Sequence, residues 1–367
     1  MSEGVDGSTA RRVVVTSAVR YIIPTEISGY FRILDLERER VTFLTPVPES
    51  TWRGADPNPR GGTRGARGVS THGGRIVLAN AERLFVLDTS WRLLAELSDR
   101  LMSDVHDVLA EERGMWVAAT GCDMLLLVRW DGRLEHAWSL RRNRKLLRQL
   151  GFRKHSLPAI DPGIDFRDPR ARGEGFERLH VNSLGRGPAG LLVSLGRVVA
   201  EVEPAPVLSS ALVGVTEGAR NGSPHVSILH RHAGTAAPNH NVGEEGDLLV
   251  YNDSNRHCLV AYDRVSGSER CAVPVPGEPS FARGLARIGS SLWLVGSQAP
   301  LAVHAVDLER AEVVGSFPLG GVQDETVYAI CVLPDEFEDP RQPLGSDPLE
   351  FWRRAGATPA VTPIRAA

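Results

Sequence analysis

A chain of 367 residues with 42% apolar and 24% charged residues has the composition of an ordinary soluble globular protein. Its net charge of −3 offers no attraction to nucleic acid or an anionic membrane surface, and the 40 arginines against 2 lysines look like GC-rich coding rather than a basic binding face. No apolar run reaches 18 residues and the segment from Met1 to Arg12 has no apolar centre, so the expectation is a cytoplasmic protein with Cys122, Cys258, Cys271 and Cys331 as thiols.

Residues 1–11 are polar and are expected to be disordered. Strands are predicted at Val13 to Ala18, Tyr30 to Leu36 and Val41 to Leu44, with a polar hairpin over Asp35 to Arg40 and a long loop over 46–65. Alternating strands then recur in fours. One set runs from Arg67 through Ile76 to Asn80, Leu84 to Asp88 and Leu93 to Glu96. Another runs from His106 through Met115 to Ala118, Met124 to Val128 and Leu134 to Trp138. Residues 141–178 break the spacing with a basic, helix-prone start and a Pro/Asp/Arg-rich remainder, which reads as an insertion over one face. The pattern resumes at His180, with strands at Leu191 to Leu195 and Val198 to Val202. An irregular stretch from Thr216 to Pro238 then carries His225, His230 and His232, read as a solvated loop. Asn239 to Asn252, His257 to Asp263 and Glu269 to Val273 make the next set, and Arg283 to Phe317 another.

Val327 to Val332 is a first strand with no partners after it, and the missing partners are the three N-terminal strands. Steps of 39 residues (67 to 106), 43 (240 to 283) and 45 (283 to 328) suit four strands per repeat. The expected fold is therefore all-β: a six-bladed β-propeller over 12–335, its ring closed by N-terminal strands pairing with a C-terminal one. Residues 336–367 form a tail with a short helix at Asp347 to Arg354. A β-sandwich would share the alternation but not the repeat of about 40 residues.

First strands of propeller blades line the central channel. Aligned at their beginnings, they bring Arg67, His106, His180, His240, Arg283 and Tyr328 to one channel mouth, with Asn182 and Asn241 close behind. Neutral imidazoles act as nucleophile or general base. On separate strands three of them could also hold a divalent ion such as Zn, Fe or Mn, which makes a metal site of His106, His180 and His240 the alternative reading. Arginines facing them suit a sulfate, phosphate or carboxylate. Asp35, Asp88, Asp263 and Asp307 end third strands, where a carboxylate caps the turn.

His180-Val181-Asn182-Ser183 followed by Leu191-Leu192-Val193-Ser194 resembles the His-x-Asn-Ser…Leu-x-Ser-x-Arg segment of bacterial arylsulfate sulfotransferases. Those are six-bladed propellers that move a sulfuryl group between phenols through a histidine intermediate. His106-Asp107-Val108 and His240-Asn241-Val242 resemble that family's other histidine-bearing blade starts. The resemblance implies His240 as nucleophile, with His106, His180, Asn182 and Arg197 binding sulfuryl oxygens, although Arg197 is one residue out of register. Pro279-Ser280-Phe281-Ala282-Arg283-Gly284-Leu285-Ala286 looks like a family of uncharacterised bacterial cytoplasmic propellers, which implies the fold and no reaction.

The expected function is an enzyme acting on a small anionic or phenolic metabolite, by group transfer of the arylsulfotransferase kind. The alternatives are a divalent-metal lyase, isomerase or hydrolase on the three histidines, and a non-catalytic binding scaffold.

Overall fold

The computed structural model describes residues 11–20, 27–56, 64–153, 157–172, 176–188, 190–200, 207–218, 224–233, 239–340 and 349–356, and the backbone of 362–363 and 365–366. The expected disorder of residues 1–11 thus falls almost wholly outside the described residues. Their strands form six sheets, antiparallel apart from Thr362–Pro363 and Arg365–Ala366, which add in parallel to the outer strands of two of them; the sheets are numbered here as blades 1 to 6 by their inner strands, in chain order. The inner strands are Val69–His72, Val105–Glu111, Val181–Gly187, Asn239–Glu245, Arg283–Arg287 and Glu325–Leu333. Each is followed outward by three more strands, so the six-bladed propeller expected from the repeat is the fold.

The closure is also the expected one. In blade 6 the inner strand Glu325–Leu333 pairs with Arg12–Val19, from Arg12 opposite Leu333 to Val19 opposite Glu325. Gly29–Asp35 and Arg40–Pro46 complete the blade. A buried ion pair ties this seam. Arg32, on the third strand, grips Glu325 with Nη1–Oε1 at 2.6 Å and Nη2–Oε2 at 3.1 Å. Ser17 donates to the same carboxylate from the strand between. Bidentate geometry and the extra donor satisfy charges that would otherwise be costly to bury.

Local sequence accounts for the blades. Strand cores such as Val13-Val14-Val15 and Leu125-Leu126-Leu127 are fully buried because both faces of a blade pack on neighbours. The aspartates expected to cap turns do so: Asp88, Asp263 and Asp307 each accept two backbone N–H groups from the following turn, at 2.7 to 3.2 Å.

Blade 3 differs from expectation: Leu191 to Leu195 and the stretch from Val198, read as two strands, lie in the single strand Gly190–Ala200. Thr216 to Pro238 is not a loop throughout: Val207–Glu217 and Pro224–Ala233 form a hairpin that supplies the outer half of blade 3. Three histidines in the second strand had masked its alternation. The described residues of the 141–178 insertion pack down on the protein, with the helix Arg144–Gln149 sending Leu146 and Leu147 into the core and Phe166 buried beneath blade 2. In the tail, the helix Glu350–Ala355 sits one residue further on than expected at its C-terminal end. It buries Phe351 and Trp352 against Phe31, Phe43, Phe85 and Trp91.

Candidate functional site

Every inner strand carries one unpaired residue at the same place. Pairing skips His106 in blade 2, Asn182 in blade 3, Asn241 in blade 4, Gly284 in blade 5 and Tyr328 in blade 6. In blade 1, Arg67 and Gly68 together face Ala79, whose carbonyl accepts from Arg67 N at 2.7 Å and whose N–H donates to Gly68 O at 3.0 Å. Such a β-bulge bends the strand and re-aims a side chain. Six in register form a collar around the channel mouth. The sequence alignment had mixed three levels of this collar. His106 and Tyr328 are bulge residues, Arg67, His240 and Arg283 precede one, and His180 stands two before Asn182.

The collar nevertheless gathers most of the expected set. His106 and His180 meet edge to face with ring centroids 4.9 Å apart, and His106 lies 5.7 Å from the Tyr328 ring. The guanidinium carbons of Arg283 and Arg67 stand 3.4 and 4.7 Å from that same ring's centroid, a cation–π arrangement. Arg67 also donates to the Tyr328 hydroxyl and reaches Asp104 at 3.3 Å.

Arg283 is different. It is 5% exposed and makes no ion pair among the described residues; its neutral partners are the Tyr328 side chain and Asn182 Oδ1, the latter at a long 3.5 Å. Burial lowers its pKa to about 10. A buried cation with no ion pair of its own among the described residues is a place that suits an anion.

The histidines are fixed as tautomers by their neighbours. His106 Nδ1 faces the Asp104 carbonyl at 3.0 Å, and a carbonyl only accepts, so Nδ1 carries the proton. His240 Nδ1 lies 2.5 Å from Ser254 Oγ, whose single proton goes to the Ala282 carbonyl at 2.5 Å. Nδ1 must therefore donate there as well. Both rings keep a lone pair on Nε2. Burial holds both well below the ordinary histidine pKa, and nearby arginine charge adds to it. They are neutral imidazoles at pH 7.

His180 is pushed the other way. Burial pulls its pKa down, but the Glu177 carboxylate, bonded to Nδ1, more than offsets that and raises it. The environment thus pushes one imidazole toward protonation and keeps the other two neutral. His180 is left-handed, with φ 50°, a conformation of an L-residue that needs support. Asp123 provides it, accepting from the backbone N–H groups of Arg178, Leu179 and His180 at 2.9 to 3.0 Å and from Arg141 at 2.8 Å.

Sequence reasoning missed Asp104, Arg172, Glu177, Ser254 and Phe281. Arg172 and Glu177 come from the insertion; Arg172 Nη1 lies only 2.1 Å from where a Cβ on Gly121 would stand, so that glycine makes room for it. Phe281 packs against His240 at 5.3 Å between centroids, with the Arg20 guanidinium 4.5 Å from its ring. Glu177 and Asp104 stand three and two residues before their histidines, a local signal that proximity in the chain could have supplied.

The remaining candidates lie apart. Asn182 supports the site from behind, bonding the Asn239 carbonyl at 3.1 Å as well as Arg283. Asn241 Oδ1 is taken up by Gly284 N at 2.7 Å and Asn252 Nδ2 at 3.2 Å, so it joins blades 4 and 5. It borders a 230 Å³ axial cavity further along the channel, with Asp107 and Arg287. Arg197 is exposed, although its charge still reaches Glu177.

The donor set does not fit the metal reading. Among the described residues no group of three or more His, Cys, Asp or Glu is placed to hold an ion. His106 and His180 meet each other, while His240 is turned to Ser254 and Phe281.

No family model matches the chain, and no curated protein sequence does. Known structures are similar to it in shape. One is a protein of unknown function from Bacteroides caccae, 11% identical, with a TM-score of 0.50 over 88% of this chain and 98% of that one. A chain of a nidogen/laminin complex is 10% identical, with the same TM-score and coverages. A periplasmic gluconolactonase of Pseudomonas aeruginosa is 15% identical, with a TM-score of 0.45 over 86% of this chain and 99% of that one. At such identities the likeness extends to the fold alone, and nothing in it is specific to sulfotransferases. The chain is a six-bladed β-propeller with a collar of cationic and imidazole side chains at one channel mouth.

Proposed function

We propose that the channel mouth is the active site of an enzyme for small organic anions, and that its reaction is sulfuryl transfer between phenols. The observation that carries the reading is Arg283, a buried guanidinium with no ion pair among the described residues, within electrostatic reach of His240, whose pKa is depressed, and of His180, whose pKa is raised. Arg283 and Arg67 would receive the sulfate oxygens of an aryl sulfate. His240 Nε2, its lone pair kept by the Ser254 contact, attacks sulfur. The N–S bond forms as the S–O(aryl) bond breaks, and the departing phenolate takes the His180 proton. An acceptor phenol then returns a proton to His180 as its oxygen displaces His240 from sulfur. Asp104 and Glu177 keep Arg67 and His180 in place throughout.

The test is release of nitrophenol from 4-nitrophenyl sulfate, with and without phenol as acceptor, together with peptide mass analysis for a sulfuryl group. Acceptor-dependent release, with the label on the His240 peptide and absent in His240→Ala, is the expected result. No release from aryl sulfates by the wild type would overturn the transfer reading.

A further inference from the structure

The seam between the outer strand of blade 3 and blade 4 holds a second cluster, away from the channel mouth. His230 and His232 stand two residues apart on Pro224–Ala233 and so project from the same face. They meet at their Nε2 atoms, 2.9 Å apart, and His232 Nε2 also lies 2.7 Å from the hydroxyl of Tyr251 in blade 4. Tyr251 is fully buried, and the Tyr262 ring covers His230 with centroids 3.9 Å apart.

This arrangement asks too much of one nitrogen. His232 Nε2 carries either one lone pair or one proton, yet it faces two partners at hydrogen-bond distance. With a lone pair, both neighbours must aim a proton at it; with a proton, the proton must be divided. In either tautomer one contact is poor. A cation resolves the conflict, because it takes a lone pair from every atom at once. Burial pulls the pKa of His230 down to about 4, helped by His232, and burial lowers His232 as well. Both rings are therefore neutral and able to ligate at pH 7. His232 Nε2 stands 2.9 Å from His230 Nε2 and 2.7 Å from Tyr251 Oη, and each of these two pairs needs to spread by only about half an ångström to bond one ion at its usual length of roughly 2.0–2.1 Å.

We propose that His230 Nε2, His232 Nε2 and Tyr251 Oη form a site for a divalent ion of the Zn²⁺ or Cu²⁺ kind, which pins the outer edge of blade 3 to blade 4. Two imidazoles and a phenol oxygen are a borderline-soft set that favours these ions over Mg²⁺ or Ca²⁺. If the phenol ligates as phenolate, its proton goes to solvent and the bound ion keeps one positive charge. The charge of Glu269, which is paired with Arg256, reaches both histidines and favours a cation between them. The site is independent of the proposed chemistry at the mouth.

Chelator-treated full-length protein is titrated with ZnCl₂ and with CuCl₂ by calorimetry, and its Tm is followed with each ion. One equivalent should bind to the wild type and to His240→Ala, raising Tm in both. His230→Gln and His232→Gln should each weaken binding by at least about 100-fold and abolish the Tm rise. Tyr251→Phe, which keeps the ring, should remove any tyrosinate-to-copper absorption band while the two histidines still bind. The proposal is overturned if wild type binds neither ion. It is equally overturned if both glutamine variants bind as well as wild type, or if binding is lost instead in His240→Ala.

Discussion

Replacing Arg283 with methionine separates stability from function at the channel mouth. Burial pulls the guanidinium down to about 10. At 1.36 kcal/mol for each tenfold, that depression is on the order of 3 kcal/mol by which burial disfavours the charged form. Because the folded-state pKa is depressed but still near 10, that penalty is present at every pH below it. Methionine removes the charge, keeps a flexible apolar chain over Tyr328, and gives up the 3.5 Å contact with Asn182 and the cation–π contact. Those losses amount to roughly 1–2 kcal/mol. Arg283→Met is therefore expected to be as stable as wild type, or more stable by about 1–2 kcal/mol. Anion binding should move the other way. Losing two charge-assisted bonds of about 1.5–3 kcal/mol each weakens an aryl sulfate by at least about 100-fold. Urea denaturation without ligand, and again with 4-nitrophenyl sulfate, reads both effects. A variant destabilised by more than about 2 kcal/mol in the absence of ligand, or one that binds the sulfate as wild type does, would refute the reasoning.

Other perturbations follow from the same geometry. His180 has its pKa raised by Glu177, so as a general acid it should hold activity up to a pH above 6.5 and lose it as the pH rises further. In Glu177→Gln that alkaline limb should move to lower pH, read from kcat/KM against pH, while a merely structural glutamate would lower the rate at every pH alike. His106 and His240 are depressed, so they contribute stability present above the unfolded value of 6.5 and lost as pH falls below it. Acid unfolding followed by circular dichroism should begin at lower pH in His106→Gln and His240→Gln than in wild type. Trp352 is 1% exposed and donates from Nε1 to the Pro46 carbonyl at 2.6 Å. Trp352→Ala should cost about 3–5 kcal/mol in urea denaturation and leave the mouth's chemistry unchanged in the folded protein, since the helix packs at the outer edge of blades 1 and 6.

What was legible in the amino-acid order is what repeats. Apolar alternation, turn aspartates and an unpartnered strand from Val327 to Val332 are local or periodic signals, and they specify the blade count and the way the ring closes. The chemistry-bearing histidines and arginines were legible too, because they recur at blade starts. Their level within the collar was not. A bulge adds one unpaired residue without changing the alternation on either side of it, so a chemical alignment placed His180 beside His106 when the equivalent residue in blade 3 is Asn182. Nor could periodicity disclose partners brought in from outside the repeat. Glu177 and Arg172 arrive on the insertion, and Ser254 reaches His240 from the turn after the neighbouring strand. These partners, rather than the ring types, set which imidazole is charged and which nitrogen is free. Protonation depends on burial and on the nearest charge, and both exist only once the chain has folded.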